Sequence, residues 1–101
     1  MKKAVTYIPT KNNEGEEFSE SLIEELKNRI IEISGGLTEK GKVKGYWQNN
    51  EREVLEDINR QFDIGIEPED LNRLRELLRN YKDILEQESM YLEYNGEIEF
   101  L

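Results

Sequence analysis

Lys42, Lys44 and Tyr46 occupy alternate positions in the stretch KGKVKGYWQ, so an extended backbone turns all three side chains to one face. Two ammonium groups and a phenol on one face could hold a small anion such as a nucleotide, with Arg60 or Arg52 supplying a guanidinium from the next segment. Asp63 and Glu93 fall at matching parity in two other extended segments, and Tyr91 and Tyr46 could accompany them. Acid chemistry there would need one carboxyl desolvated or crowded enough to raise its pKa, and solvated surface charge is the simpler account. Glu51, Glu53, Glu56 and Asp57 form a third acidic group, but their spacing is not that of a calcium-binding EF-hand loop.

The residues that are missing narrow the chemistry further. The chain of 101 residues has no histidine and no cysteine. That excludes an imidazole-based triad, thiolate nucleophiles, disulfides and the ordinary zinc or haem sites, and no cofactor is expected. Any catalysis would rest on Asp, Glu, Lys, Arg, Tyr, Ser or Thr. A formal charge of −9 repels a phosphate backbone unless the cations are segregated, which argues against generic nucleic-acid binding. MKKAVTYIPT is too short a mixed run for a signal peptide, and no apolar stretch is long enough to cross a membrane. A cytoplasmic protein is expected.

The glycines do not make a phosphate loop. Gly35, Gly36, Gly41 and Gly45 lack both the G-x-G-x-x-G order and the G-x-x-x-x-G-K-[ST] spacing, and they lead from a helix into a strand, the reverse of the phosphate-binding context. Gly35 and Gly36 read as a helix terminator and turn. Gly45, inside a strand, marks a bulge or a close approach. Trp47 lies on the face of Val43 and Gly45 and reads as a core anchor under a helix, or else as part of a subunit interface.

Around these residues the periodicity lays out the elements. Lys3 to Ile8 suit a first strand ending at Pro9. Phe18, Leu22, Leu26, Ile30 and Ile33, widened by Ile23 and Ile31, follow the spacing of an amphipathic helix. KVKGYWQ and RQFDIGI read as strands, joined by a polar segment that holds a turn and an irregular start to the returning strand. Pro68, with Glu69 and Asp70, opens a second helix whose stripe is Leu71, Leu74, Leu78, Tyr81 and Leu85, flanked by Leu77 and Ile84. Its outer face offers pairs four residues apart: Glu69 with Arg73, Arg79 with Asp83, and Lys82 with Glu86. SMYLEY is a further strand, and Asn95-Gly96 is a two-residue hairpin signal leading into EIEFL.

The order is β-α-β-β-α-β with a possible fifth C-terminal strand: an α+β, ferredoxin-like split arrangement in a single domain over residues 1–101, its antiparallel sheet carrying both helices on one face. The strand bearing Lys40, Lys42 and Lys44 belongs at an edge, where lysines discourage unwanted pairing. Phe62, Ile64, Ile66, Met90, Leu92 and Tyr94 should face the helices. Gln61, Asp63, Gly65, Tyr91 and Glu93, with Thr6, should lie on the open face.

Gly36, Leu37, Thr38, Gly45, Trp47, Asp57, Gln87 and Glu88 form a pattern that resembles a group of small bacterial ferredoxin-like domains, with a Gly-Leu/Phe-Thr turn, a Gly-x-Trp strand and a helix ending in Gln-Glu-Ser. The resemblance implies the fold and supplies no activity. Without a catalytic constellation, the sequence points to a non-catalytic binding or assembly module, a homo-oligomer associating through its open sheet face or an edge strand, with Trp47, Gln61, Asp63, Tyr91 and Glu93 as interface residues. The alternatives are a sensor for a small anionic ligand, held by Lys42, Lys44, Tyr46 and Arg60, and an acidic nucleic-acid mimic that inhibits a basic protein partner.

Overall fold

In the computed structural model, which describes residues 1–101, seven main elements follow one another: β1 (Lys2–Pro9), α1 (Glu20–Ser34), β2 (Thr38–Gln48), β3 (Val54–Ile66), α2 (Leu71–Ile84), β4 (Tyr91–Tyr94) and β5 (Glu97–Phe100). A 3-10 turn at Pro68–Asp70 leads into α2. The five strands form one sheet in the order β2-β3-β1-β4-β5 with every pairing antiparallel, which is the expected α+β arrangement with its fifth strand added at the β4 edge.

Local chemistry sets the ends of α1. Ser19 caps it by accepting the Leu22 amide on Oγ at 3.2 Å, which satisfies one of the first-turn donors. Phe18 therefore stands before the cap rather than inside the helix, and still packs on the core. Gly35 closes the helix in the left-handed conformation, φ 92°, and returns its amide to the Ile31 carbonyl. In α2 the charged residues pair three positions apart, Arg73 with Asp70 and Arg79 with Glu76, instead of in the four-residue pairs that the sequence suggests.

The core lies between the helices and one face of the sheet. Ile23, Leu26 and Ile30 of α1 and Leu71, Leu74, Leu77, Leu78 and Tyr81 of α2 meet Ala4, Ile8, Phe62, Ile64, Ile66, Met90 and Leu92. Thr6 belongs to this side too, contrary to expectation: β1 alternates Ala4, Thr6, Ile8 inward, and the buried Thr6 hydroxyl donates to the Tyr91 carbonyl at 2.7 Å. Tyr7 is the β1 aromatic on the open face.

Strand lengths are unequal, and this decides where the surface chemistry sits. β1 pairs with β3 only over Asn59–Ile66, whereas β2 pairs with β3 as far as Val54. The ends of β2 and β3 thus project as a two-stranded arm beyond the helices. The returning strand is regular to its start at Val54, not irregular. Trp47 sits on this arm, 49% exposed, and is not a core anchor. Its indole N–H donates instead to Asp57 at 2.7 Å.

Candidate functional site

β2 does not alternate without interruption. A bulge lies between Glu39 and Gly41, with Gly41 at φ 91°, a conformation that glycine adopts without steric cost. Gly45, the expected irregularity, is ordinary strand, and a Cβ there would meet only Asn59 Nδ2 at 3.6 Å. Past the bulge Lys42 lies opposite Arg60, Lys44 opposite Ile58 and Tyr46 opposite Glu56, all on the helix side of the sheet. Lys40 is separated from them and reaches Asp63 on the open face at 3.8 Å. Lys42, Lys44, Tyr46 and Arg60 therefore do share one face, while the three lysines do not.

Where this face meets the start of α1 there is a cleft of about 210 Å³, lined by Thr10, Glu17, Phe18, Glu20, Ile23, Glu39, Gly41, Lys42 and Arg60. Arg60 forms its centre. Its guanidinium reaches Glu39 at 2.7 Å and both oxygens of Glu20 at 3.3 Å. Glu39 also faces Lys27 at 3.5 Å, and Lys27 holds Glu24 at 2.9 Å. Burial would raise the Glu39 pKa, but the hydrogen bond and charge of Arg60, helped by Lys27, outweigh it and hold the carboxyl below its ordinary value. Arg60, with burial working against it, is kept above its ordinary value by Glu39 and Glu20. This guanidinium is already satisfied by two carboxylates.

Two charged groups in the lining take no part in any ion pair: the Glu17 carboxylate and the Lys42 ammonium. Over the whole cleft, Glu17, Glu20 and Glu39 stand against Lys42 and Arg60, three negative charges to two positive, leaving one net negative charge. With Phe18 and Ile23 as its apolar wall, the cleft can hold a small molecule that carries both signs of charge.

The open face gathers the other residues singled out by parity. Gln61, Asp63, Tyr91 and Glu93 all lie there, and Trp47 shares the side but sits out on the arm. Tyr91 stacks between Tyr7, with ring centroids 4.7 Å apart, and Phe100 at 5.8 Å, and its hydroxyl donates to Glu93 at 2.9 Å. Burial and that bond push the phenol up to about 12. Asp63 accepts from Gln61 and faces Lys3 and Lys40; although burial acts to raise its pKa, these partners hold it below its ordinary value. Asp63 is thus an ionised group and not a proton donor at neutral pH. Sequence reasoning missed Glu17, Phe18, Glu20 and Glu39 as site residues, because only the bulge and the entry to α1 bring them to the lysine strand.

No protein-family model matches the chain, and no curated protein matches it. Solved structures do share its fold. A phage SAM lyase in complex with S-methyl-5′-thioadenosine aligns over 99% of this chain and 88% of its own, with 14% identity and a TM-score of 0.65. The apo state of a phage SAM lyase aligns over 99% and 87%, with 14% identity and a TM-score of 0.60. At this identity the likeness establishes the fold. It also corrects the expectation of a non-catalytic module, which rested on the lack of a familiar catalytic constellation: the proteins that share this fold include an enzyme, a phage SAM lyase, seen with a ligand bound. The anion-sensor and nucleic-acid-mimic alternatives fall with it, and the pairing of Arg60 with two carboxylates takes away the guanidinium that the anion site needed. No helix is long and apolar enough to cross a membrane.

Proposed function

We propose that this protein is a lyase that cleaves S-adenosylmethionine to S-methyl-5′-thioadenosine, with the aminobutyrate and sulfonium end of the substrate seated in the cleft. The observation that carries this reading is the unpaired Glu17 and Lys42 in one lining. The substrate's amino-acid end presents an ammonium and a carboxylate, and these two side chains offer one partner for each. Its sulfonium adds a third charge, so the substrate's net positive charge meets the cleft's net negative one. Fold likeness over 99% of the chain to a SAM lyase holding the same thioadenosine supports the assignment.

The chemistry asks little of the side chains, which suits a chain without histidine or cysteine. The bond between sulfur and the γ-carbon breaks, and its electron pair stays on sulfur, which leaves as a neutral thioether. An oxygen of the substrate's own carboxylate supplies a pair to the γ-carbon and closes a five-membered lactone. No proton is transferred and no protein nucleophile is needed. What the protein contributes is geometry: Glu17 fixes the ammonium, and Lys42 holds one carboxylate oxygen as a point charge while leaving the other free to attack. Opposite charges cancel as the reaction proceeds, so a cleft with a Phe18 and Ile23 wall speeds the step by displacing water from both.

Chromatographic assay of the thioadenosine released from S-adenosylmethionine tests this. Glu17→Gln and Lys42→Gln should each lower kcat/KM by about 10-fold or more, the scale of losing a charge-assisted contact, while Tyr7→Ala on the open face should not. Turnover that is indifferent to both cleft variants would remove the cleft from the reaction, and absence of turnover in the wild type would remove the reaction.

A further inference from the structure

A cleft of about 210 Å³ is below the size that encloses a ligand as large as S-adenosylmethionine, so the nucleoside half must lie outside it. The fold leaves one continuous way out on the same face. From Lys42 the helix side of the arm continues through Lys44 and Ile58 to Tyr46 and Glu56. Four residue steps along the strand lead from Lys42 to Tyr46, about 13 Å at the rise of an extended chain, which is close to the reach of an extended aminobutyrate-sulfonium-ribose chain.

The residues along that path are unusual for an exposed strand end. Tyr46 is 64% exposed and Ile58 is 38% exposed. Glu56, opposite Tyr46, has only a loose ion pair with Lys44 at 3.9 Å. Together they present an aromatic face, an aliphatic neighbour and an acceptor-only carboxylate. A planar base with an exocyclic amine matches all three: the ring stacks on Tyr46, and the amine donates to Glu56.

We infer that the helix-side face of the β2–β3 arm is the seat for the purine base, with Tyr46 as its stacking platform and Glu56 as the group that selects a 6-amino purine over a 6-oxo one. The inference rests on the proposed reaction for the identity of the nucleoside, and its residues are distinct from those that hold the amino-acid end. A 6-oxo purine puts a carbonyl oxygen where the 6-amino purine puts its amine, so a Glu56 carboxylate aligned with position 6 meets acceptor with acceptor and has to shift to the N1–H to find a donor.

Isothermal titration of the full chain with S-methyl-5′-thioadenosine tests the seat without catalysis, because this ligand lacks the aminobutyrate end. Tyr46→Ala should weaken its binding by about 10-fold to 100-fold, the range seen when a base loses its aromatic platform. The 6-oxo analogue, S-methyl-5′-thioinosine, should bind the wild type at least about 10-fold more weakly, the scale of one lost polar contact, and Glu56→Gln should abolish that preference. Both side chains are exposed, so circular dichroism should show both variants folded. Wild-type affinity in Tyr46→Ala, or no binding of the thioadenosine to the wild type, overturns the seat. If Tyr46→Ala keeps wild-type affinity while S-adenosylmethionine is still consumed, the seat fails and the reaction stands. If the thioadenosine binds through Tyr46 and S-adenosylmethionine is not consumed, the reaction fails and the seat stands.

Discussion

Arg60 donates from Nη2 to Glu39 Oε1 at 2.7 Å although the β2–β3 register places Lys42, not Glu39, opposite Arg60. The bulge at Gly41 makes this possible by inserting a residue between them, so that one guanidinium ties the β2 edge to Glu20 at the start of α1. The wall of the cleft is therefore held by charge-assisted hydrogen bonds as well as by apolar packing.

Glu39→Gln should destabilise the fold by about 1–2 kcal/mol, between the value of an exposed pair and that of a charge-assisted hydrogen bond. In a domain of this size that lowers Tm by about 4–16 °C. The Glu39 carboxyl is held below its ordinary value, so its contribution is fully present above the unfolded pKa and is lost as pH falls through the lower folded one. Thermal melts of wild type and variant should consequently differ at pH 7 and converge in strong acid; a gap independent of pH would contradict the assignment.

Gly41→Ala should cost about 1–2 kcal/mol, the penalty for a side chain in the left-handed region, because the backbone there has φ 91° and nothing crowds the added Cβ. Urea titration would show a lower midpoint with an unchanged slope. Gly45→Ala, at an ordinary strand position, should shift the midpoint far less.

Tyr91 predicts a spectroscopic signature. Its phenol titrates at about 12, pushed there by burial and by the bond to Glu93. Tyr81 is also raised, by burial and by Glu25, so ultraviolet titration should reveal more than one late tyrosine, with the Tyr91 step missing in Tyr91→Phe and moved to lower pH in Glu93→Gln. The unfolded phenol ionises at about 10, so between that value and the folded one the native state binds more protons and stability falls as pH rises.

Trp47→Ala should cost less than about 1 kcal/mol, as for an exposed side chain making one hydrogen bond, whereas Phe62→Ala, which empties a fully buried site, should cost about 3–5 kcal/mol. Equal losses in chemical denaturation would return Trp47 to the core.

Much of this architecture is legible in the sequence because local signals carry it. The Leu71–Leu85 stripe, the Gly35 stop and the Asn95-Gly96 turn each depend on a few neighbouring residues, and the alternation that pairs Lys42 with Tyr46 survives intact. What is hidden depends on distant segments. Trp47 is outside the core because β1 is too short to accompany β3 to Val54, and no periodicity within β2 records the length of β1. Thr6 points inward because Ala4 and Ile8 do, a one-residue shift in parity that the mixed composition of β1 obscures. Lys40 parts from Lys42 because the bulge falls at Gly41, one of several glycines able to host it. The cleft depends on distant segments in the same way, since Glu17, Glu20 and Glu39 reach Lys42 only through the bulge and the turn into α1.

The central claim is a bond cleavage, and proton NMR reads it directly. In a mixture of S-adenosylmethionine and catalytic amounts of the protein, the sulfonium S-methyl singlet should decay while a thioether S-methyl singlet and lactone ring signals grow in equal proportion, faster than in a protein-free control. A sulfonium signal that persists at the control rate, or a thioether that grows with open-chain homoserine as its first partner in place of the lactone, would contradict the account.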